Sequence, residues 1–353
     1  MTSERPSPKG RGAGENPANR YHVRSTTRFD DGWACETPTP LRTRVALDHP
    51  RKAISYNDSP DIPFDRSVNP YRGCEHGCIY CYARPTHAWL DLSPGLDFES
   101  RLFARPSLPR LLIDELSASG YRPAPLAIGG ITDGYQPIER EYQITRAVLE
   151  TLAETRHPTL LVTKSAMIER DIDLLAAMAA DGLVEVAVSL TTLDRGLARR
   201  MEPRAASPQR RLQTVCRLSA AGIPVRLMLA PIVPVLTEAE IERLLAAGRE
   251  AGARHAGYVL LRLPREVAGL FRRWLDEHFP DAAARVMSHV NDTRGGRDND
   301  GRFGHRMRGA GHYASLIEKR FALASRRLGF VPGQTLRSDL FRPPHRHGQL
   351  PLL

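Results

Sequence analysis

Lysine is nearly missing from this 353-residue chain: Lys9, Lys52, Lys164 and Lys319 are the only lysines among 50 basic residues, the rest being arginine. The formal charge of +10 suits an anionic partner, with DNA or RNA as candidates, but an arginine-for-lysine coding bias accounts for the same composition. A lysine that survives such a bias inside an apolar segment is marked out for its flexible point charge. Long apolar runs are also absent. None approaches the ~18 residues of a membrane span, so no membrane partner is expected. Residues 1–20 are polar and lack the apolar centre of a signal peptide, which makes the cytoplasm the default location. Cysteine is scarce and odd in number: Cys35, Cys74, Cys78, Cys81 and Cys216. That count argues against a disulfide framework. Hydrophobic residues at 41% and charged residues at 25% exclude a wholly disordered or collagen-like chain.

Residues 1–55 mix Pro, Gly, Arg and Thr without apolar period and read as a mobile tail followed by an extended arm, with Trp33 and Cys35 placed to tack the arm onto the body. From about residue 56, short apolar runs alternate with helical segments. Strands are expected at Ser67–Arg72, Pro125–Ile131, Thr159–Thr163, Val184–Leu190, Val225–Leu229 and Gly257–Leu263, each almost continuously apolar, as a parallel strand buried on both faces is. Helices fill the gaps at Leu108–Ser119, Tyr142–Arg156, Asp171–Ala180, Ser207–Ala221 and Thr237–Ala251. Ser207 with Pro208 reads as an N-cap, and Thr237 with Glu240 as a capping box. This is an α/β pattern with a parallel sheet. Six units are too few for an eight-fold barrel and suit a partial (β/α)6 barrel over residues 56–265. Residues 266–353 read as an extension: a helix over Val267–Phe279, a Gly-, Arg- and Asp-rich loop over Asn291–Gly311, and a helix over His312–Leu328.

Cys74, Cys78 and Cys81 put three thiols on one tight loop. Structural zinc normally takes four ligands, and no second cysteine pair exists, although His76 can complete a set. An ordinary cubane also takes four cysteines. Three thiolates without an evident fourth point to a [4Fe–4S] cluster with one open iron, with zinc as the remaining alternative.

The Cys-x3-Cys-x-Tyr-Cys spacing at the end of a first strand resembles the radical S-adenosylmethionine (SAM) superfamily. The words Asn69-Pro-Tyr-Arg-Gly-Cys74, Tyr80-Cys-Tyr-Ala-Arg84, Asp133-Gly-Tyr-Gln-Pro-Ile-Glu139, Thr163-Lys-Ser165, Arg170-Asp171, Glu202-Pro-Arg204 and Leu261-Arg-Leu-Pro264 resemble its spore photoproduct lyase-like branch, across residues 60 to 265. The resemblance implies SAM chelated at the open iron, reductive cleavage to a 5′-deoxyadenosyl radical, hydrogen abstraction from a substrate, and a low-potential donor of flavodoxin or ferredoxin type.

Ligands of such a barrel lie at the C-terminal ends of its strands. There the resemblance implies SAM contacts at Thr132 and Asp133, where two glycines allow close backbone approach, at Lys164 for the SAM carboxylate, and at Ser189 for ribose or carboxylate. Tyr80 and Tyr82 flank the third cysteine and are the candidates for hydrogen-atom relay, with packing around SAM as their plainer role. One departure matters: the lyase carries a hydrogen-donating cysteine at the end of the second strand, and Gly129–Asp133 contains none. Cys216, inside a helix, is expected in the core. Seven arginines against Glu202 over Arg195–Arg217 form a candidate nucleic-acid patch. The expectation is a radical SAM enzyme acting on a substrate other than spore photoproduct. The alternative is a non-catalytic Fe–S redox or sensor protein.

Overall fold

A computed structural model of the chain describes residues 9–21 and 41–344; Trp33 and Cys35 lie outside them. The strands are β1 (Arg44–Leu47), β2 (Ile54–Tyr56), β3 (Arg66–Val68), β4 (Tyr71–Arg72), β5 (Arg101–Ala104), β6 (Leu126–Ile128), β7 (Thr159–Thr163), β8 (Val184–Ser189), β9 (Val225–Ile232) and β10 (His255–Leu260). A seven-stranded sheet runs in the order β10-β9-β8-β7-β6-β3-β2. Six neighbours in it, β3 and β6 to β10, pair in parallel, and β2 adds an antiparallel edge. This is the expected six-unit α/β architecture. β8, with every residue buried, sends Val184, Val186 and Val188 into the main core with Leu112, Leu149, Leu175, Val215 and Leu245. Those five come from the helices Leu108–Leu116, Ile144–Glu154, Ile172–Ala180, Pro208–Ala220 and Ile241–Glu250.

The strand expected over Ser67–Arg72 splits at Asn69–Pro70. Pro70 has no N–H for a ladder. Arg66–Val68 stays in the large sheet, while Tyr71–Arg72 turns to pair antiparallel with β5 in a separate sheet ordered β1-β5-β4. Ser207 caps its helix as expected, accepting from the Arg210 N–H at 3.3 Å. The expected capping box does not form. Thr237 Oγ1 accepts instead from the Val233 N–H (2.8 Å), and the Glu240 carboxylate accepts from the Thr192 hydroxyl and the Leu193 N–H. Thr237 found a donor four residues back instead of in the helix, and Glu240 found two donors far away in the chain.

In the extension, the helices Glu266–His278 and Gly311–Arg327 follow the expectation, and Pro280–Thr293 forms a further helix. Pro280 starts it, and Val286, Met287 and Val290 bury one stripe, so the loop shrinks to residues 294–310. That loop bridges the two sides of the large sheet. Leu260 N–H of β10 donates to Met307 O (2.9 Å), while the Gly304 N–H (2.7 Å) and Arg306 Nε (2.6 Å) donate to Asp61, in the loop after β2. Residues 9–21 are packed on the body, contrary to the mobile-tail expectation, with Ala13 wholly buried. Among the described residues no helix is long and apolar enough to cross a membrane.

Candidate cluster and cofactor site

The loop after β4 carries the three cysteines. Cys74 N–H donates to Phe98 O (2.9 Å), Cys81 N–H to Cys78 O (3.2 Å), and Ile79 N–H to Met201 O (3.0 Å). Cys74 and Cys78 are buried and Cys81 is partly so. Two buried side chains hold the loop's outer and inner walls. Arg84, fully buried, donates to the carbonyls of Cys78 (2.9 Å), Gly77 (3.1 Å), Pro94 and Gly95, and to Glu99 (2.5 Å). Gln136 donates to Gly73 O (3.1 Å) and accepts from the Glu75 N–H (3.0 Å), gripping the chain on either side of Cys74.

The N-terminal segment closes over this loop. The Glu99 carboxylate accepts from the N–H groups of Gly12 (2.9 Å) and Ala13 (2.8 Å) as well as from Arg84. A Cβ at residue 12 would lie 1.8 Å from Gly77 O, so only glycine permits this approach. Asn19 donates to the carbonyls of Ala88 and Leu92, and Arg20 pairs with Glu266 at 2.8 Å.

Burial pushes the Cys74 thiol well up, with the nearby Asp133 carboxylate adding to it. Burial likewise raises Cys78 to about 12, although the Lys164 ammonium opposes the rise. Such thiols ionise only when a metal replaces their lost solvation. No three His, Cys, Asp or Glu side chains among the described residues converge on one ion, and His76 turns its Nδ1 to Asp133 at 3.3 Å. Convergence on one ion is what zinc requires. A cluster spreads its thiolates over several irons, so the donor set fits a [4Fe–4S] centre.

Lys164 directly follows Thr163, whose register partner is Val188, and so stands beside Ser189. Ser189 in turn pairs with Met228, and Met228 with Gly257. These four residues form one row across the sheet, with Lys164 just past the end of β7, Ser189 at the end of β8, and Met228 and Gly257 inside β9 and β10. Lys164 Nζ lies 5.9 Å from the centre of the Tyr80 ring. Tyr80 is buried, and its hydroxyl donates to Glu202 and lies 3.4 Å from Thr191 Oγ1. Glu202 also accepts from Arg211 and from Thr191 Oγ1 (2.7 Å). Arg211 is itself buried and donates to Ser189 O (3.0 Å) and Ala206 O (2.7 Å). Burial works to raise the Glu202 carboxyl, yet Arg211 and then Lys164 hold it down at about 2. Tyr82, beside Cys81, is about half exposed. Its hydroxyl donates to Gly130 O, and the Arg262 guanidinium lies 4.2 Å from its ring centre.

Other candidates are occupied within the protein. Asp133 accepts from Thr163 Oγ1 (2.8 and 3.0 Å) and from the N–H groups of Lys164 (2.8 Å) and Tyr135 (2.9 Å), besides facing His76. Burial opposes ionisation there, but His76 and these donors bring the carboxyl to about 2. Asp133 therefore ties β6 to β7. Thr132 Oγ1 donates to Tyr71 O (3.1 Å). Gly129, at φ +92°, is required by the sheet itself, since a Cβ would meet Val162 O at 2.3 Å; only Gly130 leaves open room.

Four of the seven arginines of the Arg195–Arg217 patch pair with acids, two of them, Glu75 and Glu169, distant in sequence. Arg204 pairs with Glu75, Arg210 and Arg217 with Glu169, and Arg211 with Glu202. Cys216 is exposed and not in the core. Gln136, Arg84 and Glu202 lie within the family-like words, yet nothing local indicated what they hold; Arg211 was hidden in the basic run.

A family model described as the Radical SAM superfamily matches residues 68–247. Uncharacterized protein Rv2578c of Mycobacterium tuberculosis is 36% identical over 226 residues, 64% of this chain and 66% of that protein. Uncharacterized protein MJ0683 of Methanocaldococcus jannaschii is 24% identical over 216 residues, 61% of this chain and 76% of its own. The match thus spans 66% of the mycobacterial relative's length. Among solved structures, spore photoproduct lyase complexed with dinucleoside spore photoproduct superposes with a TM-score of 0.56 at 16% identity, over 82% of this chain and 80% of the lyase. That likeness is one of fold.

Proposed function

Since the chain belongs to the radical SAM superfamily, whose members use a [4Fe–4S] cluster and SAM, we propose that it is a radical SAM enzyme acting on a substrate other than spore photoproduct. The observation that carries the reading is the buried three-thiol loop beside the row of Lys164 and Ser189. When bound, cluster and SAM together supply the reductive cleavage of the sulfonium and a 5′-deoxyadenosyl radical that abstracts hydrogen.

The chain's own residues do the rest. Cys74, Cys78 and Cys81 hold the cluster. Lys164 orients the SAM carboxylate by a charge-assisted hydrogen bond. Ser189 stands next to it in the row, for the ribose or carboxylate. Glu202 fixes the Tyr80 ring through its hydroxyl, and with Arg211 forms a neutral pair under Lys164. Thr132 and Asp133, whose side chains are taken up by protein donors and acceptors, shape the site from behind. Tyr80, whose buried hydroxyl donates to Glu202, and the half-exposed Tyr82, whose hydroxyl donates to Gly130 O, are both candidates for a hydrogen-atom relay. The electron donor is a low-potential protein of flavodoxin or ferredoxin type.

The test is anaerobic reconstitution followed by dithionite and SAM, scoring 5′-deoxyadenosine. Release of the nucleoside, lost in Cys78→Ala, supports the reading. A reconstituted cluster that never cleaves SAM points to the non-catalytic redox or sensor role.

A further inference from the structure

Among the described residues, the arginines of the 294–310 loop differ in how their donors are used. Arg306 donates to Asp61 (2.6 Å) and to Ser59. Arg294 is buried and donates to the carbonyls of Leu260, Leu261, His305 and Arg306. Arg308 is exposed and lies over the Tyr258 ring at 4.0 Å. Arg262 differs from all of these. It stands just past the end of β10 and is partly buried. Among the described residues it has neither a hydrogen bond nor an ion pair, and its contact is the face of Tyr82. Burial pushes its guanidinium down, and Arg306 adds to that. Its charge also acts on Tyr82, Cys81 and, more weakly, Asp61, so it borders the cluster loop.

A guanidinium presents five N–H donors in a rigid fork and is costly to desolvate without acceptors. A ring face compensates the charge in part but accepts none of those donors in the plane of the fork. Tyr82 is itself fixed through its hydroxyl by Gly130 O, so the ring beneath the fork is held in place. Arg306 is cancelled by Asp61, and the donors of Arg294 are spent on carbonyls. Arg262 therefore keeps a partly buried charge with an open fork, and that fork matches an oxyanion.

We propose that Arg262, stacked on Tyr82, anchors an oxyanion of the substrate, a carboxylate or a phosphodiester, at the C-terminal end of the sheet beside the cluster loop. The proposal rests on the reading above only in taking the bearer of that anion to be the substrate.

The experiment uses the full chain with its cluster reconstituted anaerobically and no reductant added. Phenylglyoxal labelling of Arg262 is followed by mass spectrometry, with dimethyl phosphate, sodium acetate, SAM or sodium chloride as competitor. With a Kd of about 5 mM, about 20 mM of a bound probe slows labelling about fivefold by mass action. Protection by dimethyl phosphate alone assigns a phosphodiester, and by acetate alone a carboxylate; protection by both supports the shared oxyanion chemistry. In each case labelling of the exposed Arg302 should stay constant.

Protection by SAM alone, with weaker SAM binding in Arg262→Gln, overturns the proposal and moves Arg262 to the SAM carboxylate. Labelling that no probe slows, or that chloride slows equally, overturns it as well. The assay involves no SAM cleavage. Protection without 5′-deoxyadenosine formation in the separate assay therefore keeps the anion site and removes the radical reading, and the reverse result removes only the anion site.

Discussion

Replacing Glu202 by glutamine keeps the shape of the side chain and removes the one negative charge between Arg211 and Lys164. Glu202 and Arg211 are both buried, with side-chain exposures of 1% and 2%, so solvent does little to screen the pair. Burial alone would raise the Glu202 carboxyl; Arg211 and Lys164 lower it from 4.5 to about 2. That difference corresponds to about 3 kcal/mol of stability at pH 7. Breaking a buried pair by removing one partner costs about 3–5 kcal/mol by an independent route, and the two agree. The sign follows from the lowered value. The contribution is complete above the unfolded-state 4.5 and is lost as pH falls toward 2, leaving about 1.4 kcal/mol at pH 3. Equilibrium urea unfolding of wild type and Glu202→Gln at pH 7, 5 and 3 measures it. The variant should be less stable by about 3 kcal/mol at pH 7, with the gap roughly halved at pH 3. A gap under about 1 kcal/mol at pH 7, or one that ignores pH between 5 and 3, would refute the buried-pair argument.

Cys74→Ala, Cys78→Ala and Cys81→Ala should each abolish the visible spectrum of the reconstituted cluster, whereas Cys216→Ala, at an exposed position, should keep it with its full iron content. Lys164→Ala should retain the cluster and weaken SAM binding by about tenfold to a hundredfold, the worth of one charge-assisted hydrogen bond; equilibrium dialysis giving an unchanged Kd would leave Lys164 as a rim residue. Deleting residues 1–21 removes both N–H donors to Glu99. The cluster should then bleach in air about tenfold faster or more, at about 1.4 kcal/mol of lost opening free energy per decade; equal bleaching rates would mean that the segment does not shield it. Dinucleoside spore photoproduct should return no thymine, because Gly129–Asp133 lacks a thiol and proximity is what makes radical quenching fast. Stoichiometric repair sensitive to Cys35→Ala would show that another part of the chain supplies that thiol.

The sequence alone was enough to place the three cysteines on one loop and to read the parallel sheet, because both are local facts. Eight residues hold the whole thiol spacing, and an inner parallel strand such as Thr159–Thr163 states its environment in its own apolar run. It also isolated Lys164 and Ser189, each at the end of such a run. What it could not determine was which polar groups spend their charge inside the protein. Asp133 read as a free carboxylate until Thr163, Lys164 and His76 arrived from other elements, and Glu240 read as half of a capping box until Thr192 and Leu193 offered donors. Arg204, Arg210 and Arg217 looked unpaired because Glu75 and Glu169 are far away in the chain and adjacent only in space. The N-terminal segment looked mobile because backbone N–H groups, common to almost every residue, carry its bonds to Glu99. Charge and hydrogen-bonding capacity belong to the residue and can be read in one dimension. Whether they are already compensated depends on neighbours that only the tertiary structure brings within about 3 Å.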